Sequence, residues 1–218
     1  MGTDFEDGAN FATGGSSIMP GGFSPFDLGI QVSQFTQFKS RSRAFDDHQN
    51  DCRARAFWVH NTGPFGCLPR NAITFRSKKG TLDPYGCVAS QNAVAQDFNK
   101  QLKDVVNRLR TQFPSAAFTY VDVYSVKFSL IVNAKKEGFV EPLNFCCGSL
   151  EPYPLQCGTS TVVNGTTLRA GVCADPWRHI NWDGMHYTEA ANRWIASRIL
   201  GGSVSDPPVP IGEACPWP

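Results

Sequence analysis

No stretch of the 218-residue sequence approaches the roughly 18 consecutive apolar residues that suggest a membrane-spanning helix. Charge of one sign is also lacking. The formal net charge is +1 and no long basic or acidic run occurs, which argues against nucleic acid as a partner. There is no Cys-x-x-Cys pair, so a zinc ribbon is not expected, and nothing calls for a metal or other cofactor. No internal repeat is present. The N-terminus, Met1-Gly2-Thr3-Asp4-Phe5-Glu6-Asp7, is acidic and polar and lacks the basic and apolar segments of a secretory leader.

The chain is nonetheless built to fold. With 41% hydrophobic and 18% charged residues it can bury a core, and its length suits one α/β domain or two very small ones. Eight cysteines are many for a cytosolic enzyme and fit an oxidising compartment. Asn164-Gly165-Thr166 is a glycosylation acceptor, which agrees. The conflict with the N-terminus is resolved if the front of the protein is missing.

Residues 8–29 are rich in Gly, Ser and Pro and are expected to form loops. Residues 39–55 are polar without a hydrophobic period and predict a junction with no stable structure of its own. Ala56-Phe57-Trp58-Val59-His60, ending in Asn61-Thr62-Gly63-Pro64, predicts a buried strand and a turn. Over 90–113, Val94, Phe98, Leu102, Val105, Val106, Leu109 and Phe113 recur at three and four, which predicts an amphipathic helix with those residues inward. Pro114 stops it, and residues 117–123 predict a second strand. Strand, long helix, strand is a βαβ unit, hence a parallel sheet. A helix over Val126–Lys136 follows, then an irregular, disulfide-stapled region over 140–180. A last helix runs from Thr188, its cap, to Leu200 before Gly201-Gly202. The Pro-rich tail 204–218 is expected to be mobile. Cys67 and Cys87 flank one loop and are expected partners. Cys147 or Cys146 with Cys157, and a link involving Cys173, are open alternatives, with Cys52 unpaired.

The residues suited to chemistry lie in Trp182-Asp183-Gly184-Met185-His186, just before the last helix. A histidine serves as a general base when a carboxylate on Nδ1 fixes its tautomer and stabilises the imidazolium. Asp183 precedes His186 by three residues, a spacing that a turn can use to bring both groups to one side. By itself the spacing also fits an ordinary structural Asp–His contact. The glycine pair in Gly8-Ala9-Asn10-Phe11-Ala12-Thr13-Gly14-Gly15-Ser16 could present backbone N–H groups to an oxyanion, or be a plain loop. Asn50, in Gln49-Asn50-Asp51, could donate to the same oxyanion or mark a turn.

Together these segments resemble the plant branch of the GDSL, or SGNH, ester hydrolases. Gly8-Ala9-Asn10-Phe11-Ala12 with Gly14-Gly15 resembles the family's second block. Thr62-Gly63-Pro64-Phe65-Gly66-Cys67-Leu68-Pro69 resembles a characteristic strand-end loop. Phe145-Cys146-Cys147-Gly148 and Cys173-Ala174-Asp175-Pro176 follow in family order. Asn181-Trp182-Asp183-Gly184-Met185-His186-Tyr187-Thr188-Glu189 resembles the fifth block.

The resemblance implies a three-layer α/β sandwich with a parallel sheet and hydrolysis of carboxylic esters without a cofactor, in a secreted, monomeric glycoprotein. The substrates would be acyl lipids, acetylated polysaccharides or small acyl esters. It implies Asp183 and His186 as triad members, with Gly15 (or Gly14) and Asn50 as oxyanion donors. Two departures stand out. No Gly-Asp-Ser, the nucleophile segment, occurs in the chain, and His48 stands where the block around Asn50 carries a glycine. The domain over 1–203 is therefore expected to be incomplete, with 39–55 as a deletion junction and catalysis lost. Ser16 and Ser17 are the conceivable substitute nucleophiles, and a ligand-binding remnant is the alternative function.

Overall fold

A computed structural model describes residues 11, 13–17, 19–22, 24–45, 56–76, 81–150 and 154–213. The chain divides into two compact units, Met1–Ala54 and Arg55–Pro218.

In the first unit, helix α1 spans Leu28–Phe45. Asp27 starts it, its carboxylate accepting from the Ile30 N–H at 3.0 Å. The Phe11 ring meets Phe35 and Phe38 edge-on. Residues 39–45, expected to lack structure, are the last turns of this helix. Its sequence carries little helical periodicity, so the pattern concealed it. Residues 46–55 lie outside the described part.

The second unit is α/β. Strands β1 (Ala56–His60) and β2 (Ala117–Val121) are adjacent and parallel, in register from Ala56 opposite Ala117 to His60 opposite Val121. Helix α3 (Ala89–Gln112) crosses between them and packs on β2, and the short helix α2 (Pro69–Phe75) precedes it. Helix α4 spans Val123–Val132, shifted from the expected 126–136 because Asp122 caps it, accepting from the Ser125 N–H at 3.1 Å. After the hairpin of β3 (Ser160–Val163) and β4 (Thr166–Arg169) comes α5 (Glu189–Leu200), capped by Thr188 as expected. The apolar core is formed by Val121, Val123, Val126, Leu130, Ile180, Ala191, Ile195 and Ile199.

Two expectations are corrected here. The sheet is mixed: the tail was expected to be mobile, but Ser205–Asp206 forms a short strand, β5, antiparallel to β2. Arg110 holds it there, donating to the carbonyls of Phe118 and Asp206 and pairing with the Asp206 carboxylate at 3.5 Å. Gly202 has φ +76° and lies so close to Val209 that no side chain fits.

The apolar stripe of α3 does not face inward as a whole. Asn92, Ala95, Asn99 and Val106 are its buried residues, whereas Val94, Phe98, Val105 and Phe113 are 63%, 41%, 38% and 53% exposed. The loop leaving β1 explains the inversion. Its backbone is buried and needs hydrogen-bond partners, which apolar side chains cannot supply. Asn99 accepts from the Thr62 N–H and donates to the Thr62 carbonyl, both at 2.9 Å. Asn92 accepts from the Gly66 N–H at 3.0 Å.

Disulfides staple the loops. Cys67–Cys87 forms as expected, Cys157 pairs with Cys147, and the partner of Cys173 is Cys146. Cys52 and Cys215 lie outside the described residues.

Candidate active site

The turn that carries Asp183 and His186 is built from backbone hydrogen bonds. The Trp182 N–H donates to the His186 carbonyl at 2.7 Å, closing a loop in which Gly184 takes φ +88°. The Trp182 carbonyl accepts from Cys146 and Cys147, so the two disulfides of the 140–180 region brace the turn directly. On the other side, the Arg70 N–H donates to the Gly184 carbonyl at 3.1 Å, tying the turn to α2 just past the carboxyl end of β1. Asn181 is buried beneath it and donates to the Pro142 carbonyl.

Within this frame the Asp183 carboxylate makes three contacts. Oδ1 accepts from the N–H groups of Met185 and His186 at 2.9 and 2.8 Å, and Oδ2 meets Nδ1 of His186 at 2.7 Å. Partial burial alone would raise the Asp183 carboxyl. The His186 N–H, the His186 ring and the Met185 N–H outweigh it and hold the group below its ordinary range. The His186 side chain is 76% exposed, and Nε2 has no partner among the described residues. An imidazole with a carboxylate on Nδ1 and a free Nε2 can take a proton from a hydroxyl or water and return it.

The Asp183 shift fixes the sign of a pH effect. A carboxylate with a depressed folded pKa contributes stability above its unfolded pKa of about 3.9, and this is lost as pH falls through the folded value. Asp183→Asn is therefore expected to lower Tm near pH 6 and to converge with the parent chain toward about pH 2. Equal Tm differences at both ends of a pH series would contradict this account.

The other expected site residues are not brought to this pair by any described contact. Gly14 and Gly15 form an exposed turn of the first unit, Gly15 with φ +71°. Ser16 and Ser17 are engaged locally: Ser16 Oγ donates to the Thr13 carbonyl at 2.9 Å and accepts from Gln31, and Ser17 Oγ donates to the Met19 carbonyl. Asn50 and His48 lie outside the described residues. Asn164 is exposed at the tip of the β3–β4 hairpin, where φ of +50° and, at Gly165, +78° form the two-residue turn that Asn-Gly favours. That dipeptide announced a hairpin which the sequence reading passed over.

Sequence reasoning also missed Asn61. Its side chain donates to Asp122 at 2.8 Å and to the Tyr120 hydroxyl, and accepts from the Tyr124 N–H, joining the carboxyl ends of β1 and β2. Its place directly after a predicted strand was the available signal.

Comparison with known proteins identifies the family. Residues 42–199 match the family model described as GDSL-like Lipase/Acylhydrolase. The chain is a member of that family. Its relatives include a GDSL esterase/lipase of Arabidopsis thaliana, 40% identical over 99% of this chain and 73% of the relative. An esterase of Hevea brasiliensis is 38% identical over 99% and 72%, and the GDSL esterase/lipase ENOD8 of Medicago truncatula is 37% identical over 99% and 73%. The Arabidopsis alignment runs over 283 positions against 218 residues here, so at least 65 positions in its matched span have no counterpart in this GDSL chain. Membership makes ester hydrolysis the family-level activity and the α/β sheet of the second unit its expected framework.

Proposed function

We propose that Asp183 and His186 are the proton-transfer half of a Ser-His-Asp ester hydrolase site acting on carboxylic esters: acyl lipids, acetylated polysaccharides or small acyl esters. The supporting observation is the 2.7 Å Asp183–His186 contact, with Nε2 unpartnered among the described residues. In this chemistry a serine attacks the ester carbonyl, His186 takes its proton and returns it to the leaving alcohol, and Asp183 orients the ring. Gly15 and Asn50 are the proposed oxyanion donors, and no metal or cofactor enters. The nucleophile belongs to a Gly-Asp-Ser segment that the 218 residues do not contain, and part of the 65 missing positions is assigned to the junction at 39–55. The 218-residue chain by itself is thus an inactive form of the hydrolase.

The test is hydrolysis of 4-nitrophenyl acetate by the purified chain and by His186→Ala. The expected result is the same background rate for both. Turnover that His186→Ala abolishes would reveal a substitute nucleophile, with Ser16 and Ser17 first in line, and would end the inactive-chain reading. The same proposal places the protein on the secretory pathway with a glycan on Asn164. Expression through that pathway should give a chain whose mass falls on enzymatic deglycosylation and which Asn164→Gln makes insensitive to it. An unchanged mass would refute the glycan.

A further inference from the structure

Lys127 in α4 is a cation with no counter-ion among the described residues. Among the described residues it makes no ion pair or hydrogen bond. Its neighbours are an aromatic face, a glycine and an imidazole. Nζ lies 4.8 Å from the centre of the Tyr187 ring. The stem runs past Gly63, where a Cβ would stand 2.8 Å from Lys127 Cδ and 3.5 Å from Nζ, so a side chain there would push the lysine aside. His60, the last residue of β1, is close enough that burial first, and the Lys127 charge second, lower its pKa. Burial likewise lowers that of Lys127. Tyr187 follows His186 directly, and burial pushes its hydroxyl up to about 12, so it supplies a ring face and not a phenolate.

Withdrawing an ammonium from water without an anion is unfavourable, and a cation–π contact of about 0.5–2 kcal/mol offsets only part of that. The position is informative too: Gly63 and His60 lie at the carboxyl end of a parallel strand, where ligands of open α/β sheets are received.

We propose that Lys127, at the carboxyl end of β1 beside His60 and over Tyr187, is a subsite for an anionic oxygen group of the substrate, so that the protein selects acyl esters carrying a carboxylate over neutral ones. The inference rests on the hydrolase reading for its substrate class and adds the charge requirement. The lysine donates to the carboxylate from a fixed, partly desolvated position, where a charge-assisted hydrogen bond is stronger than at an open surface.

Two probes that differ in one group test this: 4-acetoxybenzoate, which carries a carboxylate, and its neutral methyl ester. Their affinities for the 218-residue chain are measured by NMR titration at neutral pH and low salt, with Lys127→Met and Lys127→Arg alongside. A charge-assisted contact corresponds to roughly a tenfold preference or more for 4-acetoxybenzoate. Lys127→Met is expected to bring the two probes within about twofold of each other, and Lys127→Arg to keep the preference. Because Met removes an unpaired, partly buried charge, that variant should also unfold at the parent temperature or higher. Equal binding of both probes, no binding of either, a preference that survives Lys127→Met, or a marked loss of stability in that variant would each overturn the proposal. His186→Ala should leave the preference intact. A preference that depends on Lys127, together with hydrolysis that is indifferent to His186 once a Gly-Asp-Ser segment has been restored, would sink the hydrolase reading and leave the anion site standing, and the reverse pattern would do the opposite.

Discussion

Restoring a Gly-Asp-Ser segment from one of the plant relatives, together with the positions this chain lacks, is expected to give an esterase whose turnover depends on His186. The expected gain is on the order of 10⁶, the loss seen when the nucleophile of a well-studied serine hydrolase is removed. The Asp183–His186 pair is already formed, and Nε2 has no partner among the described residues. The restored segment is expected to bring a hydroxyl within hydrogen-bond reach of that nitrogen. His186→Ala in the restored protein should return the rate to background, and Asp183→Asn should cost a large part of the gain, because the imidazole would lose the carboxylate that fixes its tautomer. A restored, cooperatively folded protein that hydrolyses 4-nitrophenyl acetate equally well with Ala at 186 would show that the pair is structural.

The second large effect concerns stability and comes from α3. Asn99→Ala removes both hydrogen bonds to Thr62 and leaves an N–H and a carbonyl of a partly buried loop unsatisfied. At roughly 1–3 kcal/mol for each of these two groups, the loss is expected to be about 2–6 kcal/mol, a large share of the roughly 5–15 kcal/mol that typically holds a domain together. Phe98→Gln, one residue away on the exposed side, is expected to change stability by no more than about 0.5 kcal/mol and to improve solubility. The midpoints of urea unfolding for the two variants check this. A larger loss for Phe98→Gln than for Asn99→Ala would mean that the apolar stripe faces inward after all.

That pair of residues shows where pattern reading reaches its limit. The periodicity of 90–113 correctly announced a helix between two strands, because recurrence at three and four is a property of the local chain. Which face turns inward was decided by the loop from Asn61 to Leu68. Its buried backbone selects asparagines, and no hydrophobic count includes that demand. The apolar stripe left exposed on α3, and the edge of β1 left unpaired among the described strands, are what a chain with missing positions would show.

The local text determined the strands at 56–60 and 117–121, the cap at Thr188, the Cys67–Cys87 link and the Asp183–His186 pair. Each of these depends on residues close together in sequence or on a short motif with its own geometry. The tertiary structure alone decided that Ser205–Asp206 joins the sheet through Arg110, that Cys146 takes Cys173 and braces the Trp182 carbonyl, and that Lys127 comes to rest over Tyr187. These contacts join residues dozens of positions apart. Their partners are chosen by which backbone groups and charges the fold buries together, and that becomes definite only once the core has closed.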